Sequence, residues 1–331
     1  MSYLLKPLSI GNINLKNRLV MPPMATAKSY GNGRISEEIL DYYDEKSKGG
    51  YISLIIIEHS YISLQGKASN NQMSIADDSV IDDLKKLSDI IHKNGSKAVM
   101  QINHAGSSTS AEITGYEIVA PSASANPRKP GTIPCELSKN EIKDIVESFR
   151  AAAIRVKNAC FDGVEIHSAH GYLLNQFFSP LTNKRVDEYG GDVYGRIKIH
   201  TEIIKAVKEA VGREYPVYIR FGASDYTQGG ATIDDSKIAS AEFVKAGIDA
   251  IDISGGFCGY VVPNSNEQGY FSTLTEEIKK VVSVPVILTG GITDAEAADK
   301  LLEEGKADLI GVGRAILNDS GWAENAIKKL L

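Results

Sequence analysis

A (β/α)8 barrel is the fold class this sequence predicts, on three observations. Eight short β-branched runs are separated by stretches of helical period, glycine pairs follow the last two runs, and a hairpin pattern precedes the first. Eight repeated strand–helix units are the number that closes a parallel sheet on itself. A length of 331 residues suits one such barrel or two ordinary domains. Neither a hinge-like shift in composition nor a Gly-x-Gly-x-x-Gly after an early strand favours a two-domain doubly wound arrangement, so residues 1–331 are read as a single domain.

Taken in order, Leu8-Ser9-Ile10 and Ile13-Asn14-Leu15 flank Gly11-Asn12, the pattern of a tight hairpin placed to plug the barrel floor. Strands are predicted over 18–24, 53–59, 97–104, 163–167, 216–221, 250–254, 285–290 and 307–314, each followed by a helix. Ser138 with Glu141, and Thr293 with Glu296, have the spacing of a capping box at a helix start. The stretch 105–137 is rich in Ser, Pro and Gly and has little periodicity, which predicts a functional lid over the C-terminal end of the third strand.

Composition narrows the function classes. A hydrophobic fraction of 43% with 24% charged residues describes a globular chain able to bury a large core. The net charge of −6 argues against nonspecific nucleic-acid binding. Cys135, Cys160 and Cys258 are far apart, without a Cys-x-x-Cys pair for zinc or an iron–sulfur cluster, and their odd number argues against a disulfide framework. Residues 1–18 lack an uninterrupted apolar signal segment and no later stretch reads as a membrane span, so the expected location is cytoplasmic.

Chemistry concentrates at strand ends. In Gly163-Val164-Glu165-Ile166-His167-Ser168-Ala169-His170-Gly171-Tyr172, period two sets Val164 and Ile166 against the helices and turns Glu165 and His167 inward, toward the end where barrel sites are built. His167 and His170 can together donate hydrogen bonds to one carbonyl oxygen, with Tyr172 as proton source. The same residues can instead ligate a metal, which needs a third ligand, or simply satisfy buried backbone groups, and Tyr172 can be a packed aromatic.

On the fifth strand, Tyr218 and Arg220 alternate with Val217, Ile219 and Phe221, which puts a guanidinium inside the barrel. It requires an anionic or strongly accepting partner: Glu165 in a structural pair, or the N1 and C2-carbonyl edge of a flavin. Gly290-Gly291 and Gly311-Val312-Gly313-Arg314 offer backbone N–H groups near helix N-termini, a phosphate site or merely tight turns. The Gln101 amide both donates and accepts, as a pyrimidine edge requires, while His59 and His104 at other strand ends read as packing residues.

These motifs resemble the old yellow enzyme family of FMN-containing NADH:flavin oxidoreductases, and the resemblance covers nearly the whole chain. It is carried by Leu15-Lys16-Asn17-Arg18-Leu19-Val20-Met21-Pro22-Pro23-Met24, by Gln101-Ile102-Asn103-His104-Ala105-Gly106, by Val119-Ala120-Pro121-Ser122-Ala123, and most strongly by residues 165–180 with Asn183-Lys184-Arg185 and Asp187-Glu188-Tyr189-Gly190-Gly191. It implies tightly bound, non-covalent FMN, with NADPH or NADH as hydride donor and an α,β-unsaturated carbonyl compound as acceptor. Pro22, Pro23, Met24 and Ala25 would line the flavin with His59 close by, Gln101 and Arg220 would hold its polar edge, and Gly290, Gly291, Gly313 and Arg314 its phosphate. His167 and His170 would grip the substrate carbonyl and Tyr172 would supply the proton.

Three departures from the family pattern stand out. Ala25 replaces a Thr or Cys that touches the flavin in many relatives, Ala27 replaces a substrate-contacting Tyr of a close subgroup, and the chain ends at Leu331 without that subgroup's C-terminal arginine extension. Active sites shared between subunits are therefore not expected, while a homo-oligomer as such stays open. The rival readings are a flavin-binding redox sensor or storage protein, a relative with an added iron–sulfur domain, and a flavin-free barrel lyase or isomerase, which would need a strand-end lysine or an acid–base pair.

Overall fold

The computed structural model describes residues 2–331, so Met1, the first residue of the predicted domain, lies outside the described residues. Two strands, β1 (Leu8–Ile10) and β2 (Ile13–Leu15), pair antiparallel as the predicted hairpin, with Ile10 opposite Ile13. Gly11 enters the turn at φ +54°, a left-handed value that costs glycine least.

The barrel strands follow as β3 (Leu19–Met21), β4 (Leu54–Tyr61) and β5 (Lys97–Asn103). After β5 the chain forms a small parallel pair, β6 (Val119–Ala120) with β7 (Cys135–Glu136), within the stretch predicted as a lid. The barrel resumes with β8 (Gly163–Ser168), β9 (Val217–Gly222), β10 (Ala250–Ser254), β11 (Val286–Thr289) and β12 (Leu309–Gly311). Each of the eight barrel strands pairs in parallel with its neighbour in chain order, and β12 closes the ring on β3 through Ile310 opposite Leu19.

Period-two alternation divides the apolar residues into two cores. Outward side chains such as Ile55, Ile57, Val164, Ile166, Ile219 and Ile253 join the helices in a continuous outer layer. Inward ones, Val20, Leu54, Ile56, Val99, Tyr218 and Ile287 among them, fill the barrel floor with Ile10, Ile13 and Leu15 of the hairpin. The hairpin is therefore the plug, and the space above that floor is left for polar chemistry.

Strand limits are tighter than predicted at both ends of the chain. β3 stops at Met21 because Pro22 and Pro23 have no N–H to donate to a ladder. β12 is confined to three residues because the Gly313 backbone turns into the helix Arg314–Asn318. Ser138 forms the predicted capping box with Glu141, donor and acceptor in both directions. Thr293 does not cap: the helix starts one residue later, where the Asp294 carboxylate accepts from the Ala297 N–H at 2.9 Å. Among the described residues no helix is long and apolar enough to cross a membrane.

Candidate active site

A cavity of about 620 Å³ opens above the barrel floor, and every residue singled out from the sequence as a site residue lines it. Pro22, Pro23, Met24 and Ala25 come from the turn after β3, His59 from β4, and Gln101 from β5. β8 and the turn after it bring His167, His170 and Tyr172, and β9 brings Arg220. Gly290 and Gly291 follow β11, while Gly313 and Arg314 follow β12.

His59 reaches the cavity through an irregularity. With Leu54 and Ile56 inward, strict alternation points His59 outward, but the β4–β5 register shifts between Ile57 and Ser60 and re-aims it. The packing role expected for His59 is replaced by a cavity position, with Gln72 Nε2 donating to its Nδ1 at 2.6 Å. His104 does pack: it is buried and its Nδ1 accepts from the Gly106 N–H. The neighbouring Glu58 is buried and accepts from the Thr26 N–H at 2.8 Å and from the Thr26 hydroxyl at 2.7 Å, which ties the Pro22–Ala25 turn to β4.

The imidazoles and Tyr172 form one cluster. Ring centroids of His167 and His170 are 5.1 Å apart and nearly perpendicular, and Tyr172 lies 5.0 Å from His167 and 5.4 Å from His59. Burial, aided by Arg220 and by one another, drives the basicity of His167 and His170 well below the usual histidine range, and brings His59 down to about 4. All three rings are neutral near pH 7. Burial also raises the Tyr172 phenol, with Arg128 opposing, so it holds its proton. The lid contributes Ser108, Arg128 and Lys129 to the cavity, and Arg128 Nη1 donates to the His170 carbonyl at 2.8 Å.

Below the cluster lies a polar layer, which strand register brings together. Arg220 pairs with Asp252, at 3.4 Å, rather than with Glu165 as a structural pair would have had it; the register sets Arg220 beside Asp252 on β10. Glu165 instead accepts from Gln101 Nε2 at 2.7 Å. Burial pushes Glu165 well above the carboxylate range, with Asp252 adding to the shift and Arg220 opposing it; burial likewise raises Asp252. Asp252 was invisible as a site residue in the sequence, its only signal being the inward phase it shares with Ser254.

This arrangement suits FMN on its own donor set. Arg220 lines the cavity, its Nη1 lies 3.4 Å from Asp252 Oδ2, and its buried Nε has no partner among the described residues, so the guanidinium keeps a donor for a further acceptor. Gly291 has φ +66°, and an added Cβ would come within 2.7 Å of the Tyr270 ring; a Cβ on Gly313 would lie 2.8 Å from Met24 Sδ. Both loops thus keep backbone open to the cavity where a side chain would fill it, next to the Arg314 cation. Among the described residues no group of three or more His, Cys, Asp or Glu is placed to hold a metal ion, so His167 and His170 have no third ligand.

A parallel barrel whose strand ends converge on neutral imidazoles, a buried arginine and two glycine loops defines a cofactor-dependent redox barrel as its class. The chain belongs to the NADH:flavin oxidoreductase / NADH oxidase family, whose model matches residues 3–331. Family membership brings FMN as cofactor. An NADH oxidase of Thermoanaerobacter brockii is 42% identical over 323 residues, 96% of this chain and 49% of the relative, so the chain spans about half the length of that protein. An NADPH dehydrogenase of Clostridium acetobutylicum is 40% identical over 94% of this chain and 90% of its own. Among solved structures, a 2-naphthoyl-CoA reductase complex superposes with a TM-score of 0.94 at 27% identity, covering 99% of this chain and 52% of that one. The old yellow enzyme homologue of Zymomonas mobilis gives 0.86 at 26%, covering 99% and 93%.

Proposed function

We propose that this chain reduces the activated C=C bond of α,β-unsaturated carbonyl compounds with NADH or NADPH as the source of hydride. The observation that carries the reading is the pair of neutral imidazoles beside a protonated phenol, in one cavity with the two glycine loops. FMN, when bound, supplies the hydride-carrying chemistry that neither side chains nor substrate possess. Gly290, Gly291, Gly313 and Arg314 hold its phosphate, Pro22, Pro23, Met24, Ala25 and His59 line it, and Gln101 and Arg220 face its polar edge.

His167 and His170 each direct a ring N–H at the acceptor's carbonyl oxygen. Because both rings stay neutral, they stabilise the negative charge that develops there without first giving up a proton. Tyr172 retains its phenolic proton until the α-carbon becomes basic, and then delivers it. The Pro22–Ala25 turn, fixed by Glu58 through Thr26, closes the remaining wall. No polar side chain stands at Ala25 or Ala27, so selectivity on that side rests on shape alone.

The test is rapid mixing of the two half-reactions. Tyr172→Phe is expected to slow oxidation of the reduced protein by a cyclic enone about 100-fold, the ordinary worth of a positioned proton donor, and to leave reduction by nicotinamide unchanged. Equal slowing of both half-reactions rejects the role of Tyr172. A reduced protein that no enone reoxidises faster than oxygen does rejects the enone reading and favours a redox sensor or storage role.

A further inference from the structure

β10 contributes no side chain to the cavity lining, yet its inward polar residues back two residues that do line it. Asp252 stands beside Arg220. Ser254 stands behind His170, with its Oγ 2.7 Å from His170 Nε2. That hydroxyl is 1% exposed and has no other hydrogen-bond partner among the described residues.

The main chain that presents the His170 ring to this contact is fixed on both sides. It sits at φ +60°, a left-handed conformation uncommon for a residue with a side chain. Its N–H donates to the Gly255 carbonyl at 3.2 Å, and its own carbonyl accepts from Arg128 at 2.8 Å. With Nε2 committed to Ser254, the other ring nitrogen, Nδ1, has no hydrogen-bond partner among the described residues, and His170 lines the cavity.

We propose that Ser254 is a positioning residue that sets the tautomer of His170: the buried hydroxyl donates to Nε2, and the single ring proton is thereby placed on Nδ1, facing the substrate. Two arguments carry this. A buried hydroxyl with one acceptor in reach donates to it, because an unmade O–H bond in a dry site is costly. The opposite assignment, Nε2–H donating to Ser254, strands the hydroxyl proton and turns a bare Nδ1 lone pair toward a carbonyl oxygen, acceptor against acceptor. The hydrogen bond made by one ring nitrogen decides what the other offers. Burial keeps the ring neutral, so only one nitrogen carries a proton.

The functional consequence rests on the proposed carbonyl-reducing activity, but the tautomer is measurable without any acceptor. In FMN-loaded protein with nitrogen-15-labelled histidine, long-range N–H correlation spectra at neutral pH are expected to show His170, assigned by its loss in His170→Asn, protonated on Nδ1. Ser254→Ala is expected to move that ring toward the Nε2–H form and Ser254→Thr to restore it. KM for a cyclic enone should rise about tenfold in Ser254→Ala, the worth of roughly one hydrogen bond, with nicotinamide reduction and FMN affinity unchanged. An Nε2–H ring in the unaltered protein, or a Ser254→Ala spectrum identical to it, overturns the proposal. An Nδ1–H ring in a protein that reduces no enone leaves the tautomer assignment standing and removes the activity.

Discussion

Arg220 shows how much of a site a single side chain can disclose. Its inward phase on β9 follows from the alternation with Val217, Ile219 and Phe221, and so the need for an accepting partner was legible in the sequence. Arg220→Met keeps most of the volume and removes the charge, and FMN is expected to bind about 30-fold more weakly, the worth of a charged hydrogen bond. Fluorescence titration with FMN checks this, and an unchanged dissociation constant would remove Arg220 from the cofactor site. Asp252 and Ser254 were not legible. An aspartate or serine on a strand carries no mark of its partner, and the partners here are set by the β9–β10 register and by the turn that carries His170. His59 was legible through the family resemblance but not from its strand, because the register shift that re-aims it depends on how β4 meets β5, not on the residues of β4 alone.

At the scale of elements, local signals were reliable where the residues that form the element are contiguous. The hairpin β1–β2 was readable to the residue, because Gly11-Asn12 and the flanking apolar pairs are self-contained. The capping box at Ser138 held for the same reason, whereas the start at Thr293 was displaced because Asp294, one residue on, offers a carboxylate to the same backbone donors. The hairpin's role as the plug makes its own prediction. Ile13 is 2% exposed in the barrel floor. Ile13→Ala is expected to cost about 2 to 5 kcal/mol by opening a cavity there, read as a lower denaturant midpoint with the flavin spectrum of the folded protein unaltered. A loss under about 0.5 kcal/mol, the range of ordinary surface substitutions, would mean that the hairpin does not seal the core. The stretch 105–137 was legible as a lid only in composition; that Ser108, Arg128 and Lys129 reach the cavity depends on how the β6–β7 pair folds it back.

At the scale of the whole molecule, burial keeps His59, His104, His167, His170 and His200 neutral, and this bears on its response to acid. His59 and His104 take up a proton only near pH 4 and His200 only near pH 3, in each case through burial, whereas in the unfolded chain each does so near pH 6.5. Between those values the unfolded chain binds the extra protons at these three sites, so their contribution to stability is greatest above pH 6.5 and declines as the pH falls toward 4, while the raised Glu165 and Asp252 carboxyls act in the opposite direction. These three histidines together should contribute a decline on the order of 5 kcal/mol between pH 7 and pH 5, from which the buried carboxyls subtract. Denaturant melts at pH 7, 6 and 5 read the net change, and a nuclear magnetic resonance titration of the folded protein reads the histidines themselves: rings that protonate near pH 6.5 would contradict neutral burial. We further propose that residues 1–331 form one domain, for which those melts should show a single transition by fluorescence and by circular dichroism.

The fold class and the family were both within reach of the sequence because a barrel writes its period eight times over and its site residues fall at the strand ends. The proposed function joins that fold to a chemistry: FMN in this cavity, reduced by a nicotinamide and reoxidised by an enone gripped by His167 and His170. The most direct test is the visible absorption spectrum of the purified protein under anaerobic conditions, recorded alone, after NADH or NADPH, and again after a simple cyclic enone. Flavin bands that bleach with the nicotinamide and return with the enone are the predicted result. A protein that stays colourless and takes up no added FMN would contradict the account.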